Sequence, residues 1–97
     1  MKKYRHGDVI LTATELPNGV KPKTGNVVAE GEVTGHAHRI NGGRLATLDD
    51  TLFVIPEKKP HMTHEEHKRI DLSTLPDNWG YEVTIQRQYD DELEWRK

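Results

Sequence analysis

The chain has no cysteine and one serine, Ser73. Without cysteine there is no disulfide framework and no thiolate nucleophile. Ser73 lies in a turn-like stretch with no partner pattern that would make it a nucleophile. No apolar run approaches the roughly 18 to 20 residues that a membrane helix needs, and the start, Met1-Lys2-Lys3-Tyr4-Arg5-His6, leads into polar sequence without a signal-type apolar segment. These features predict a soluble, cytoplasmic protein. There is no excess of one charge either: the formal net charge is −2. Lys2, Lys3 and Arg5 stand at one end and Asp90, Asp91, Glu92 and Glu94 near the other, which argues against phosphate-backbone binding as the main activity. No glycine-rich loop precedes a helix, so a phosphate cradle is not expected.

At 97 residues the chain makes one domain, 1–97, with 33% hydrophobic and 31% charged residues. A domain of this size buries only about 60 to 65% of its unfolded surface. Its small core therefore calls for support, and with disulfides excluded, metal binding or self-association remains. A homodimer would also cover the edges of short strands.

Long segments of helical period are missing as well. In their place are short extended runs separated by Gly, Pro and Asn. Asp8 to Ala13 is a strand bounded by Gly7 and Leu16-Pro17-Asn18-Gly19, and Lys21 to Gly25 reads as a loop. Asn26 to Ile40 is extended, with bends at Gly31 and Gly35; alternation would place Glu32, Thr34, His36, His38 and Ile40 on one face. Asn41-Gly42-Gly43 is a tight-turn signal with Arg44 to Leu48 returning, and a second hairpin follows through Asp49-Asp50. Thr51 to Ile55 reads as the most buried strand, and Glu57 to Pro60 as an exposed loop. Tyr81 to Tyr89 alternates as a half-buried antiparallel strand, with Arg87 in the core-facing register. Tyr81, Tyr89, Phe53, Trp79 and Trp95 supply packing. The expected fold is all-β: a small antiparallel barrel or sandwich of six or seven short strands. One short helical turn is expected near 64–67, because Thr63-His64-Glu65-Glu66 matches a capping box.

Against this ordinary background the histidines stand out. Five of the six fall between positions 36 and 67. His36 and His38 are two apart, which places both side chains on one face of a strand. His64 and His67 are three apart, which does the same on a helical turn. Each pair alone also suits a solvated surface. Together they offer four imidazole nitrogens, the commonest ligands for zinc, iron, nickel and copper. The predicted site is thus His36, His38, His64 and His67 around one divalent ion, zinc first, with iron or nickel as alternatives. Glu65 or Glu66 would serve as ligand, orienting group or general base. A zincin-type protease is disfavoured, because its histidines stand four apart on a long helix. His6 and His61 read as surface residues.

The segments Arg5-His6-Gly7-Asp8-Val9-Ile10-Leu11, Ala29-Glu30-Gly31-Glu32-Val33-Thr34-Gly35-His36-Ala37-His38, His64-Glu65-Glu66-His67 and Tyr81-Glu82-Val83 through Gln86-Arg87-Gln88-Tyr89 resemble a family of small uncharacterised bacterial and phage proteins. The resemblance spans nearly the whole chain. It implies that His36, His38, His64 and His67 belong to the family's pattern and that His6 and His61 do not; the chain departs from the pattern at Gln88, where glutamate is usual. No activity follows from it.

Two functions from different classes fit. One is a metal-binding β-protein, either cupin-like, with an open coordination position for a small-molecule substrate, or structural, with a closed sphere. The other is a non-enzymatic binding module, phage-encoded, that engages a host protein or nucleic acid through its charged ends. A histidine pH switch ranks below both.

Overall fold

The computed structural model describes residues 2–31 and 35–86. All regular structure there is β: β1 Lys3–His6, β2 Val9–Glu15, β3 Lys21–Lys23, β4 Val27–Glu30, β5 Ala37–Leu48, β6 Thr51–His64, β7 His67–Asp71 and β8 Trp79–Ile85. They form one open antiparallel sheet in the order β1-β2-β8-β6-β5-β3, with β4 added to β5 and β7 to β6. The all-β class is as expected, and the sheet is open rather than closed into a barrel. Its additional strands come from Lys21–Lys23, expected as a loop, and from the resumption of pairing at His67. The positions expected of Glu32, Thr34, Arg87, Tyr89 and Trp95 lie outside the described residues.

Alternation explains the outer strands. Val9, Leu11 and Ala13 of β2 are buried, while Ile10, Thr12 and Thr14 between them are only partly covered. Such a period of two buries one face of a strand. In β5 and β6 the pattern changes: Leu45 and Ala46, and likewise Phe53 and Val54, are buried consecutively, so both faces are covered there. Tyr81, the third residue of β8, is fully buried, and its hydroxyl donates to the Ser73 carbonyl at 2.6 Å.

The two long strands divide the molecule lengthwise. Over Gly43 to Leu48 and Thr51 to Pro56 they pair regularly, flanked by β3 and β8. Over Arg39 to Asn41 and His61 to Thr63 they pair again, flanked by β4 and β7. Between these stretches Gly42 alone faces residues 57–60, so the register slips in a large bulge. Gly42 has φ +75°, and a side chain there would run into the Lys58 and Lys59 carbonyls. Asn41-Gly42-Gly43 is therefore a bend within β5 and not the tip of a hairpin. The tip is Asp49-Asp50, with Asp49 at φ 56° in a region aspartate tolerates. Glu57, Lys58 and Lys59 are exposed as expected, but Pro60 is buried and its carbonyl accepts from the Leu72 amide.

β1 closes over the far end of this ribbon. The Tyr4 hydroxyl lies 2.9 Å from Ser73 Oγ and accepts the Ser73 amide at 3.2 Å, which ties β1 to the segment after β7. The turn that follows, Gly7-Asp8, thereby lies above the histidines.

Candidate metal centre

His64 and His67 face each other as a cross-strand pair, joined by the two-residue turn Glu65-Glu66. This corrects the expected helical turn: among the described residues there is no helix. The capping-box groups have other partners. Thr63 Oγ1 accepts from Asn41 Nδ2 at 3.1 Å, and the Glu66 amide donates to His64 Nδ1 at 2.9 Å. The hairpin still brings the two imidazoles together, with ring centroids 4.6 Å apart.

His38 enters from β5. Its ring lies 4.4 Å from that of His64 and 5.6 Å from that of His67, in the latter case nearly parallel. One ligand nitrogen from each of His38, His64 and His67 falls within 4.8 Å of the others. These three form a group able to hold a metal ion. They grade outward, from buried His38 through half-buried His64 to exposed His67. His36 falls outside the group. It precedes β5, so strand alternation does not carry it to the same point as His38. Its Nδ1 is buried 3.0 Å from Glu66 Oε2, close enough for a charge contact but not aligned as a hydrogen bond.

The two glutamates have separate surroundings. Glu65 Oε1 accepts the Ala37 amide and Oε2 accepts Arg39 Nη1, each at 2.9 Å. These bonds, the Ala37 amide foremost, hold its carboxyl down to about 2. Glu65 thus pins the β6–β7 turn to the start of β5, next to His38. Glu66 is more exposed and has His36 as its neighbour. His61 lies on the ribbon with Nδ1 2.9 Å from the Lys59 carbonyl.

Sequence reasoning missed His6. It is 2% exposed, not a surface residue, because β1 ends there and the Gly7-Asp8 turn folds it inward. Its Nδ1 is 3.0 Å from His38 Nδ1 and its Nε2 2.9 Å from the Lys68 carbonyl. The available signal was Gly-Asp between two extended runs, a two-residue hairpin pattern. Gly7 itself is required: its φ is +66°, and a Cβ would stand 2.8 Å from His67 Nε2 and 3.0 Å from His38 Cε1. Asp8 Oδ1 lies 3.5 Å from His38 Nε2. Burial, then the nearby His64 and His6, pushes His38 down to about 4, and burial likewise lowers His6. Both are neutral at pH 7, the form in which imidazole binds metals.

A family model described as a domain of unknown function, DUF8820, matches residues 5–74. The chain belongs to this family. The matched segment contains His6, Asp8, His36, His38, His64 and His67 and stops short of β8, so the histidine cluster lies wholly within the family's domain. No curated protein and no solved structure matches the chain.

Proposed function

We propose that this DUF8820 member binds one divalent metal ion through His38, His64 and His67, with zinc the preferred ion and iron or nickel the alternatives. The observation that carries the reading is the approach of three imidazole ligand atoms to within 4.8 Å from three different strands. A tetrahedral ion with bonds of about 2.0 to 2.1 Å keeps its ligand atoms about 3.3 Å apart, so closure requires side-chain shifts on the order of an ångström. His64 must also release the Glu66 amide from Nδ1, or turn its ring over, because an imidazole that accepts at Nδ1 carries its proton on Nε2.

Three nitrogen ligands leave a fourth position for water or for a small substrate, which is the catalytic type of zinc site. Glu66 suits the general-base role better than Glu65, whose two oxygens already hold Ala37 and Arg39. His36 stands where it would orient Glu66. The test is metal content of tag-free protein, compared with the His64→Ala and His67→Ala variants. Near-stoichiometric zinc in the parent, lost in both variants with the fold retained by circular dichroism, is the expected result. A metal-free parent that takes up no added zinc, iron or nickel refutes the reading.

A further inference from the structure

The row from the Lys68 carbonyl through His6 and His38 to Asp8 has three gaps, of 2.9, 3.0 and 3.5 Å. A carbonyl only accepts, so His6 Nε2 carries a proton and donates it. A neutral His6 then has a lone pair on Nδ1, and His38 must fill the middle gap with a proton on its own Nδ1. Charging His6 instead would place a cation with no carboxylate partner at a site only 2% exposed, beside other imidazoles. His38 is likewise only 3% exposed and packed between the His64 and His67 rings, with Asp8 beyond hydrogen-bond length at 3.5 Å, so it too is neutral, and the two protons of two neutral rings are now used. What faces Asp8 across the last gap is the bare Nε2 of His38, a lone pair opposite a carboxylate.

Two acceptors attract only when a cation lies between them. The gap of 3.5 Å exceeds the two hydrogen bonds before it and approaches the separation of about 3.3 Å that two ligands keep on one tetrahedral zinc. We infer that His6 is a positioning residue that holds His38 with Nε2 bare, and that Asp8 is an additional ligand which meets that nitrogen on the bound ion, so that water or substrate enters by displacing the Asp8 carboxylate or as a fifth ligand. Asp8 lies outside the compact histidine group, but its side chain is 42% exposed and has room to turn toward the ion. His6 acts as the outer partner that a ligating histidine needs on its other nitrogen, here an imidazole in place of the usual carbonyl or carboxylate. The role of Asp8 rests on the metal reading above. The state of His38 does not.

The experiment has two parts. In metal-free, nitrogen-15-labelled protein at pH 8, long-range proton–nitrogen spectra are expected to show His6 protonated at Nε2 and His38 at Nδ1; His38 protonated at Nε2 overturns the assignment. Zinc affinity is then measured by competition with a chromophoric chelator. His6→Leu, which fills the space but offers no acceptor, is expected to bind zinc roughly 10- to 100-fold more weakly. His6→Asn, whose Oδ1 can accept from His38 Nδ1, should restore most of the loss, and Asp8→Asn should cost roughly tenfold with the His38 spectrum unchanged. Parental affinity in His6→Leu overturns the positioning role, and parental affinity in Asp8→Asn overturns the ligand role. A parent that binds no zinc defeats the metal reading and the Asp8 role together, while the spectrum of the metal-free protein still decides the role of His6.

Discussion

The Glu65 carboxylate accepts the Ala37 amide at 2.9 Å across 28 positions of sequence. This one bond aligns the turn that carries His64 and His67 with the strand that carries His38. Its acid response has a definite sign. The folded carboxyl titrates at about 2 against 4.5 for the free group, so its contribution is complete above pH 4.5 and is lost as pH falls toward 2. Glu65→Gln removes that charge, and its stability is expected to fall less steeply over this window than the parent's. Urea midpoints at pH 5, 3.5 and 2.5 check this, and parallel profiles would count against it.

His38 sets a second, milder window in the metal-free protein. Its folded value of about 4 lies below the free value of 6.5. The unfolded chain therefore takes up the proton first: stability is full above pH 6.5, declines as pH falls from 6.5 to 4, and shows no further loss from this group below that. The slope should approach about 1.4 kcal/mol per pH unit, and His6, also lowered, adds to it with the same sign. Denaturation of chelator-treated protein at pH 7.5, 6 and 5 measures the slope. A level profile would show that the rings are not buried as described.

Gly7→Ala and Gly25→Ala separate backbone strain from contact with the site. Both glycines have positive φ, 66° and 88°, but only at Gly7 would the added carbon meet His67 and His38, since nothing lies within 4 Å at Gly25. Each variant is expected to lose about 1 to 2 kcal/mol of stability. Zinc affinity should fall, by roughly tenfold, only for Gly7→Ala. Equal affinities by calorimetry would place the β1–β2 turn farther from the ion.

Tyr81→Phe probes the core independently of the histidines. It removes the hydroxyl that donates to the Ser73 carbonyl at 2.6 Å and leaves the ring packed against Tyr4, 5.7 Å between centroids. The expected cost is about 1 kcal/mol in thermal or urea unfolding, with zinc affinity unchanged. A coupled loss of zinc binding would show that the Ser73 clasp is needed to hold β1 over the site.

The all-β architecture and the alternation of β2 were legible because each depends on local period and on apolar residues next to turn formers; of Thr51–Ile55, expected as the most buried strand, only Phe53 and Val54 are buried, and in β8 the expected inward face ends with Ile85 exposed. The convergence of His38, His64 and His67 was legible in part, since spacing shows which pairs can share a face. The conformation joining them was not. Thr63-His64-Glu65-Glu66 carries a helix-start pattern, yet Asn41, 22 positions away, takes the Thr63 hydroxyl and strand pairing takes the backbone. Asn41-Gly42-Gly43 misleads in the same way: glycine suits a hairpin tip, and it equally suits the one place in β5 that must clear two carbonyls of its neighbour. For His6 the Gly7-Asp8 hairpin signal reaches only as far as the turn; its partners, His38 and the Lys68 carbonyl, come from β5 and β7, far along the chain.

His6, His38, His64 and His67 also differ in how much chain must close before they meet. His64 and His67 are joined by a two-residue turn, His38 arrives with the β5–β6 hairpin, and His6 lies 32 positions from His38 and 62 from Lys68. Contacts between distant parts of a chain form late, because closing a long loop costs entropy that shorter ones avoid. An ion present during refolding should therefore encounter a bite of two nitrogens first, a third later, and only at the end the ring that fixes His38. Zinc added at the start of stopped-flow refolding should then hasten formation of the β6–β7 hairpin, yet delay final ordering wherever it captures His64 before His38 has docked.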